Sequence, residues 1–152
     1  MPVRPAVESD LNDICALVRE LADYERLAHE VAFDVEDVRR HLFGPDPAAS
    51  VLLATADEGD DEQVVGFALW FRTFSTFLGR PGIWLEDLFV RPEHRGQGHG
   101  TALITTLRTM TDGRVEWAVL DWNGPSIAFY ENLGAAPLRE WTTYRWSPAA
   151  SS

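Results

Sequence analysis

The sequence predicts one α/β domain built on a mixed sheet, and three observations carry that reading. At 152 residues with 45% hydrophobic content, the chain has the size of a single domain that buries one core. Its first half reads as a short strand, two helices and a hairpin of two apolar strands around an acidic turn, an antiparallel arrangement. Its second half runs strand, glycine-rich turn, helix, strand, an order that implies a parallel pair joined by a right-handed crossover. The expected domain spans residues 1–148, with 149–152 as a frayed tail.

The elements follow in order. Val3 to Ala6 is a short first strand. Ser9 or Asp10 then caps a helix whose apolar residues recur at helical spacing to about Tyr24. Asp34 opens a second helix with Val35, Val38 and Leu42 on one face, stopped by Gly44-Pro45. Val51 to Ala56 and Gln63 to Phe74 form a hairpin around an acidic turn at Glu58 to Glu62. Gly82 to Val90 is the next strand, Thr101 to Met110 a helix, and Arg114 to Leu120 the strand parallel to the previous one. A short helix from Pro125 to Asn132 and a last strand at Pro137 to Trp146 complete the chain.

Charge narrows the partners. A formal net charge of -11 repels nucleic acid and anionic membrane surfaces at long range and favours cations, although acidic runs such as Asp57 to Glu62 also serve solubility. No apolar run approaches the roughly 18 residues of a membrane helix, and the N-terminus lacks the pattern of a signal peptide, so a cytoplasmic protein is expected. The single cysteine, Cys15, lies among Leu11, Ile14, Val18 and Leu21 and reads as core packing, outside any metal-ligand spacing. His29, His41, His94 and His99 show no metal spacing either and read as surface residues, so no metal is expected. All 13 basic residues are arginine.

The most informative segment is Val90-Arg91-Pro92-Glu93-His94-Arg95-Gly96-Gln97-Gly98-His99-Gly100, between a strand and a helix. Alternating glycines let the backbone turn tightly and aim successive N–H groups outward, and the helix N-terminus adds partial positive charge, an arrangement suited to a pyrophosphate. Arg95 adds a charge-assisted contact. The dinucleotide fingerprint fails, because Thr101 or Leu103 stands where its third glycine or alanine belongs, and a P-loop needs a lysine that the chain lacks.

Arg95-x-x-Gly98-x-Gly100 after a strand ending in Val90 resembles the acetyl-CoA signature of the GNAT N-acetyltransferase superfamily. The resemblance extends to Val65-Gly66-Phe67-Ala68, Leu85 to Val90, Trp122-Asn123-x-Pro125-Ser126-Ile127-x-Phe129-Tyr130 and Leu133-Gly134-Ala135. With Glu20-Leu21-Ala22-x-Tyr24-Glu25 it is similar to the diamine branch, the spermidine/spermine and thialysine N-acetyltransferases. It implies a GNAT fold of about six to seven strands with a splayed parallel pair and about four helices, and a homodimer.

The resemblance also implies a chemistry. Acetyl-CoA as acetyl donor would lie against Leu88, Phe89, Val90, the turn Arg95, Gly96, Gln97, Gly98, His99, Gly100 and Thr101, and Asn123, Pro125, Ser126 and Phe129. The acceptor would be a primary amine of a small cationic substrate, bound by Tyr24, Glu25, Glu86, Asp87, Glu116, Trp117, Ala118 and Glu140. An alkylammonium near pKa 10.4 costs roughly 4.6 kcal/mol to deprotonate at pH 7, so the site needs a proton acceptor. The resemblance assigns that role to Glu86, directly or through water, with Asp87 in support. Adjacent residues on a regular strand point to opposite faces, so the two carboxylates would not line one pocket alike. Main-chain groups of Phe89 and Val90 would steady the developing oxyanion. Tyr130 matches the general acid that serves the leaving sulfur, by hydrogen bond more than full transfer, since a phenol near 10 is a weaker acid than a thiol near 8.5. Transfer is expected to be direct. Rival readings are acetylation of another amine (an amino acid, an aminoglycoside or a protein N-terminus) and an acyl-CoA sensor without catalysis. Trp70, Phe71, Phe74, Phe77 and Trp84 form core or pocket wall, or, if exposed on an edge, a dimer surface.

Overall fold

The computed structural model describes residues 2–149, and the chain divides into two compact units, one through Ala118 and one from Val119. The expected tail at 149–152 lies outside the described residues, Ala149 apart.

In the first unit, five strands form one sheet in the order β1-β2-β3-β4-β5. They are β1 (Val3–Pro5), β2 (Ser50–Glu58), β3 (Asp61–Ser75), β4 (Arg80–Val90) and β5 (Val115–Glu116). The first four pair antiparallel, and β4 and β5 pair parallel through Ile83 with Val115 and Trp84 with Glu116. The expected mixed sheet with a parallel pair is therefore present. Among the described residues the strand count is five, below the six to seven expected, because no strand forms at 137–146 and the strand expected at Arg114 to Leu120 pairs over two residues only.

The helices of this unit are α1 (Leu11–Tyr24), α2 (Val35–Phe43) and α3 (His99–Thr109). Asp34 caps α2 by accepting from the Glu36 N–H at 2.8 Å. Asp10 precedes α1, but its carboxylate makes no bond to that helix's N–H groups. It accepts from the Val7 N–H and from Arg4, whose guanidinium also reaches Glu62 of β3. Arg4 thereby holds Asp10 well below the usual carboxylate range.

Five consecutive residues are buried in each central strand, Val51 to Thr55 and Val64 to Ala68, as happens when a sheet is covered on both faces. On one face Ile14, Leu17 and Leu21 of α1 pack with Val51, Leu53, Phe67 and Phe89. By the pleat Leu52 and Ala54 face the other side, where α3 lies over the sheet with Leu103, Ile104 and Leu107 buried. Cys15 is buried in the core as expected, and burial raises its thiol pKa.

Gly66 of β3 sits opposite Val90 at the end of β4, and a Cβ there would lie 2.8 Å from the Phe89 carbonyl oxygen. Only glycine lets these two strands approach so closely where β4 runs into the turn. A bulge interrupts the same pairing: Asp87 faces Leu69 and Leu85 faces Trp70, which leaves Glu86 as the extra residue.

The second unit holds α4 (Gly124–Asn132), capped by Asn123, whose side chain accepts from the Ser126 N–H at 3.3 Å. The stretch expected as a last strand is irregular, with Trp141, Tyr144 and Trp146 exposed. Of its large apolar residues, Leu138, Tyr144 and Trp146 share one parity and Trp141 has the other.

Candidate active site

Strand β4 delivers Glu86, Asp87, Leu88, Phe89 and Val90 in succession and runs into the glycine turn. A single-turn helix at Pro92–His94 is followed by Gly96 at φ 76 and Gly98 at φ 89. Both lie in the left-handed region where a side chain is strained. Gly98 is the N-cap of α3, and the first intrahelical bond runs from Ala102 to its carbonyl at 2.9 Å. The N–H groups of His99, Gly100 and Thr101 therefore have no acceptor within the helix, and with the helix dipole they make a donor cradle for an anion.

Arg95 bends back over this junction. Its Nε donates to the Val90 carbonyl at 2.8 Å, and its guanidinium lies 5.0 Å from the Tyr24 ring centre and 5.3 Å from that of Phe89. Arg95 of the turn is thus in contact with the end of α1. His99 corrects the expectation of a surface histidine: it is 3% exposed, and neither ring nitrogen has a hydrogen-bond partner among the described residues. Burial, and then the neighbouring His94, lower its pKa, so the ring is neutral at pH 7. Its position as first residue of α3 turns it inward, which the glycine spacing alone does not reveal.

Helix α1 ends in a Schellman motif: Leu27 donates to the Ala22 carbonyl at 2.8 Å and Arg26 to that of Asp23 at 3.1 Å. Arg26 takes the left-handed position, at φ 61, that glycine usually fills. Tyr24 and Glu25 sit directly before this turn, both half-buried.

The charges of Glu86 and Glu25 both act on Asp87. Asp87 is pushed up to about 7, first by burial, then by Glu86 and Glu25. Burial raises Glu25 as well. Among the described residues no arginine or histidine pairs with any of the three. The inward acids elsewhere are neutralised: Asp10 by Arg4, and Glu20 by Arg91. The bulge explains how neighbours on one strand come to share a field, against the alternation expected of a regular strand, with Glu86 exposed and Asp87 half-buried.

The remaining candidates are placed as follows. Glu116 and Trp117 are half-buried at the end of β5, beside Trp84 of β4, and Ala118 is exposed. In the second unit Asn123 is buried at the start of α4, Pro125 is exposed in the first turn, Ser126, Phe129 and Tyr130 are half-buried, and Glu140 is exposed. Trp70 is buried as core, whereas Phe74 and Phe77 at the β3–β4 tip are exposed.

These features meet those of one class of protein. The sequence pattern of the Acetyltransferase (GNAT) family matches residues 16–135, and the chain belongs to that family of N-acetyltransferases. Within it, similar proteins match the diamine branch, thialysine N-epsilon-acetyltransferases and a spermidine/spermine N(1)-acetyltransferase-like protein among them. The chain is 36% identical to the thialysine N-epsilon-acetyltransferase of Mus musculus, over 97% of this chain and 93% of that protein. It is also 36% identical to the L-ornithine N5-acetyltransferase of Arabidopsis thaliana, over 77% of this chain and 48% of that protein. Among solved structures, an integron cassette protein from the mobile metagenome of V. cholerae superposes with a TM-score of 0.76 at 25% identity, over 97% of this chain and 93% of that one.

Proposed function

We propose that this enzyme transfers the acetyl group of acetyl-CoA to a primary amine of a small substrate with two or more positive charges: a diamine, a polyamine or a thialysine-like amino acid. The observation that carries this reading is the carboxylate group on Asp87: burial and the charges of Glu86 and Glu25 push it up to about 7, and among the described residues no arginine or histidine pairs with any of the three. Like charges gathered in a partly buried place cost free energy, and a cationic substrate removes that cost. The relatives named for thialysine and ornithine acetylation support the same class.

Acetyl-CoA supplies the thioester. The glycine turn from Arg95 to Thr101 would take its pyrophosphate on the N-terminal donors of α3, with Leu88, Phe89, Val90, Asn123, Pro125, Ser126 and Phe129 along the rest of the donor. The amine nitrogen forms its bond to the acetyl carbon as the carbon–sulfur bond breaks. The nitrogen loses two protons in all: the first leaves the ammonium for the β4 carboxylates before attack, and the second leaves the nitrogen of the adduct and ends on the departing sulfur or in solvent. Glu86, at the bulge, takes the first proton directly or through water, and Asp87, with a pKa of about 7, supports it as a neighbour matched to hold a proton at neutral pH. Main-chain groups of Phe89 and Val90 steady the charge on the thioester oxygen, and Tyr130 donates a hydrogen bond to the departing thiolate. Tyr24, Glu116, Trp117, Ala118 and Glu140 complete the amine side.

The same reading treats residues 1–148 as one working domain in the cytoplasm. It also includes a homodimer, supported by the exposed Phe74, Phe77, Trp141 and Trp146, and a solution mass of one chain would refute that part.

A thiol-release assay with putrescine, spermidine, thialysine, lysine, an aminoglycoside and a short peptide tests the reading. Preferential turnover of the diamine, polyamine or thialysine is expected. Preference for the peptide, or silence across the panel despite acetyl-CoA binding, would overturn it.

A further inference from the structure

Glu20 and Arg91 form an ion pair that the residue roles above do not use. Arg91 leaves β4 one residue after Val90, and its fork clasps the Glu20 carboxylate of α1, with Nε at 3.1 and 3.3 Å from the two oxygens and Nη2 at 3.0 Å. Its remaining Nη1 donates to the Val64 carbonyl of β3 at 2.9 Å, and its own N–H donates to the Val65 carbonyl at 2.8 Å. The side chain is 18% exposed and Glu20 40% exposed. One arginine therefore ties a strand, a helix and the start of the glycine turn together, with the bidentate geometry that fixes direction as well as distance.

Glu20 lies one helical turn before Tyr24 and five residues before Glu25. Four residues after Arg91, Arg95 lies over the Tyr24 ring. The last turn of α1 is thus gripped twice from the same loop, and it ends at the left-handed Arg26, a conformation that needs support from its surroundings. From this turn the charge of Glu25 acts on Asp87.

We propose that Glu20 and Arg91 are positioning residues, whose ion pair holds the last turn of α1 so that Tyr24 and Glu25 face the carboxylates of β4 and complete the amine site. The proposal rests on the cationic-amine reading for its kinetic consequence, and on geometry alone for its mechanical one.

The mechanical part is read by amide exchange in Glu20→Gln and Arg91→Met. The N–H groups of Glu25, Arg26 and Leu27, bonded to Leu21, Asp23 and Ala22, should exchange about tenfold faster, while those of Leu17 and Val18 in mid-helix keep their rates. Unchanged exchange at all five would overturn the proposal, whether or not any amine is turned over. The kinetic part is read with thialysine. Glu20→Gln should raise its KM at least about fivefold with less than about twofold change in the KM for acetyl-CoA, and the double variant should be no worse than Arg91→Met alone. Arg91→Lys should recover part of the loss, since an ammonium reaches the carboxylate but cannot fork. Faster exchange or a lower melting temperature with an unchanged thialysine KM would make the pair merely structural and overturn the positioning role. If wild-type enzyme turns over no amine of the panel, the functional reading falls, and the exchange rates alone then decide the mechanical claim.

Discussion

Asp87 is the residue on which the chemistry and the stability of this protein pull in opposite directions. Its folded pKa of about 7 lies above the ordinary aspartate value of 3.8, so the folded chain holds its proton to higher pH than the unfolded chain does. Below about pH 4 the group is neutral in both states and costs nothing. The cost grows as pH rises toward 7, because the unfolded chain ionises freely while the folded one resists, and it is complete above 7. Asp87→Asn is therefore expected to raise the melting temperature at pH 8 by about 5 °C or more and to leave it little changed at pH 4, while lowering kcat/KM about 100-fold or more. Equal melting shifts at the two pH values would show that Asp87 does not carry this linkage. Tyr130→Phe is expected to reduce turnover with little change in acetyl-CoA affinity, measured by calorimetry; unaltered turnover would remove Tyr130 from the mechanism. Of the residues that shape the site, the glycine turn and Glu86-Asp87 were legible in the sequence. The inward turn of His99 and the Arg95 contact with Tyr24 were not, because both depend on which way a side chain leaves a loop.

Among the elements, helical spacing located α1, α2 and α3 to within about two residues, and turn chemistry located the β2–β3 hairpin. The expected terminal strand does not form although Leu138, Tyr144 and Trp146 share one parity, so residue spacing alone does not decide strand formation there. The bulge at Glu86 has no mark in the sequence, since an extra residue in one strand is defined only by its partner. Gly66 did leave a mark, in Val65-Gly66-Phe67-Ala68, but its reason, the 2.8 Å approach that a Cβ would make to the Phe89 carbonyl, appears only in the pairing. Gly66→Ala must push β4 away at the site's main-chain groups. It is expected to destabilise the fold by about 1 to 3 kcal/mol by denaturant melting and to lower kcat; an unchanged kcat would show that Phe89 and Val90 need no exact placement.

For the molecule as a whole, the net charge of -11 should draw in a dication and resist acetyl-CoA, which is itself anionic. Raising ionic strength from about 0.01 to 0.5 M shortens the screening length from roughly 30 Å to about 4 Å. It is expected to raise the KM for spermidine several-fold without raising that for acetyl-CoA, as steady-state kinetics would show. The absence of lysine leaves the chain no side-chain amine of its own to compete as acceptor. The central claim is that Glu25, Glu86 and Asp87 stand ready, as carboxylates, for a cation and its proton. The most direct test is kcat/KM against pH for the amine turned over best. The account predicts an acid limb near pH 7, below which activity falls as Asp87 is neutralised, with the limb in kcat moved to lower pH once the cationic substrate is bound. A kcat/KM flat from pH 5.5 to 8.5 would contradict it.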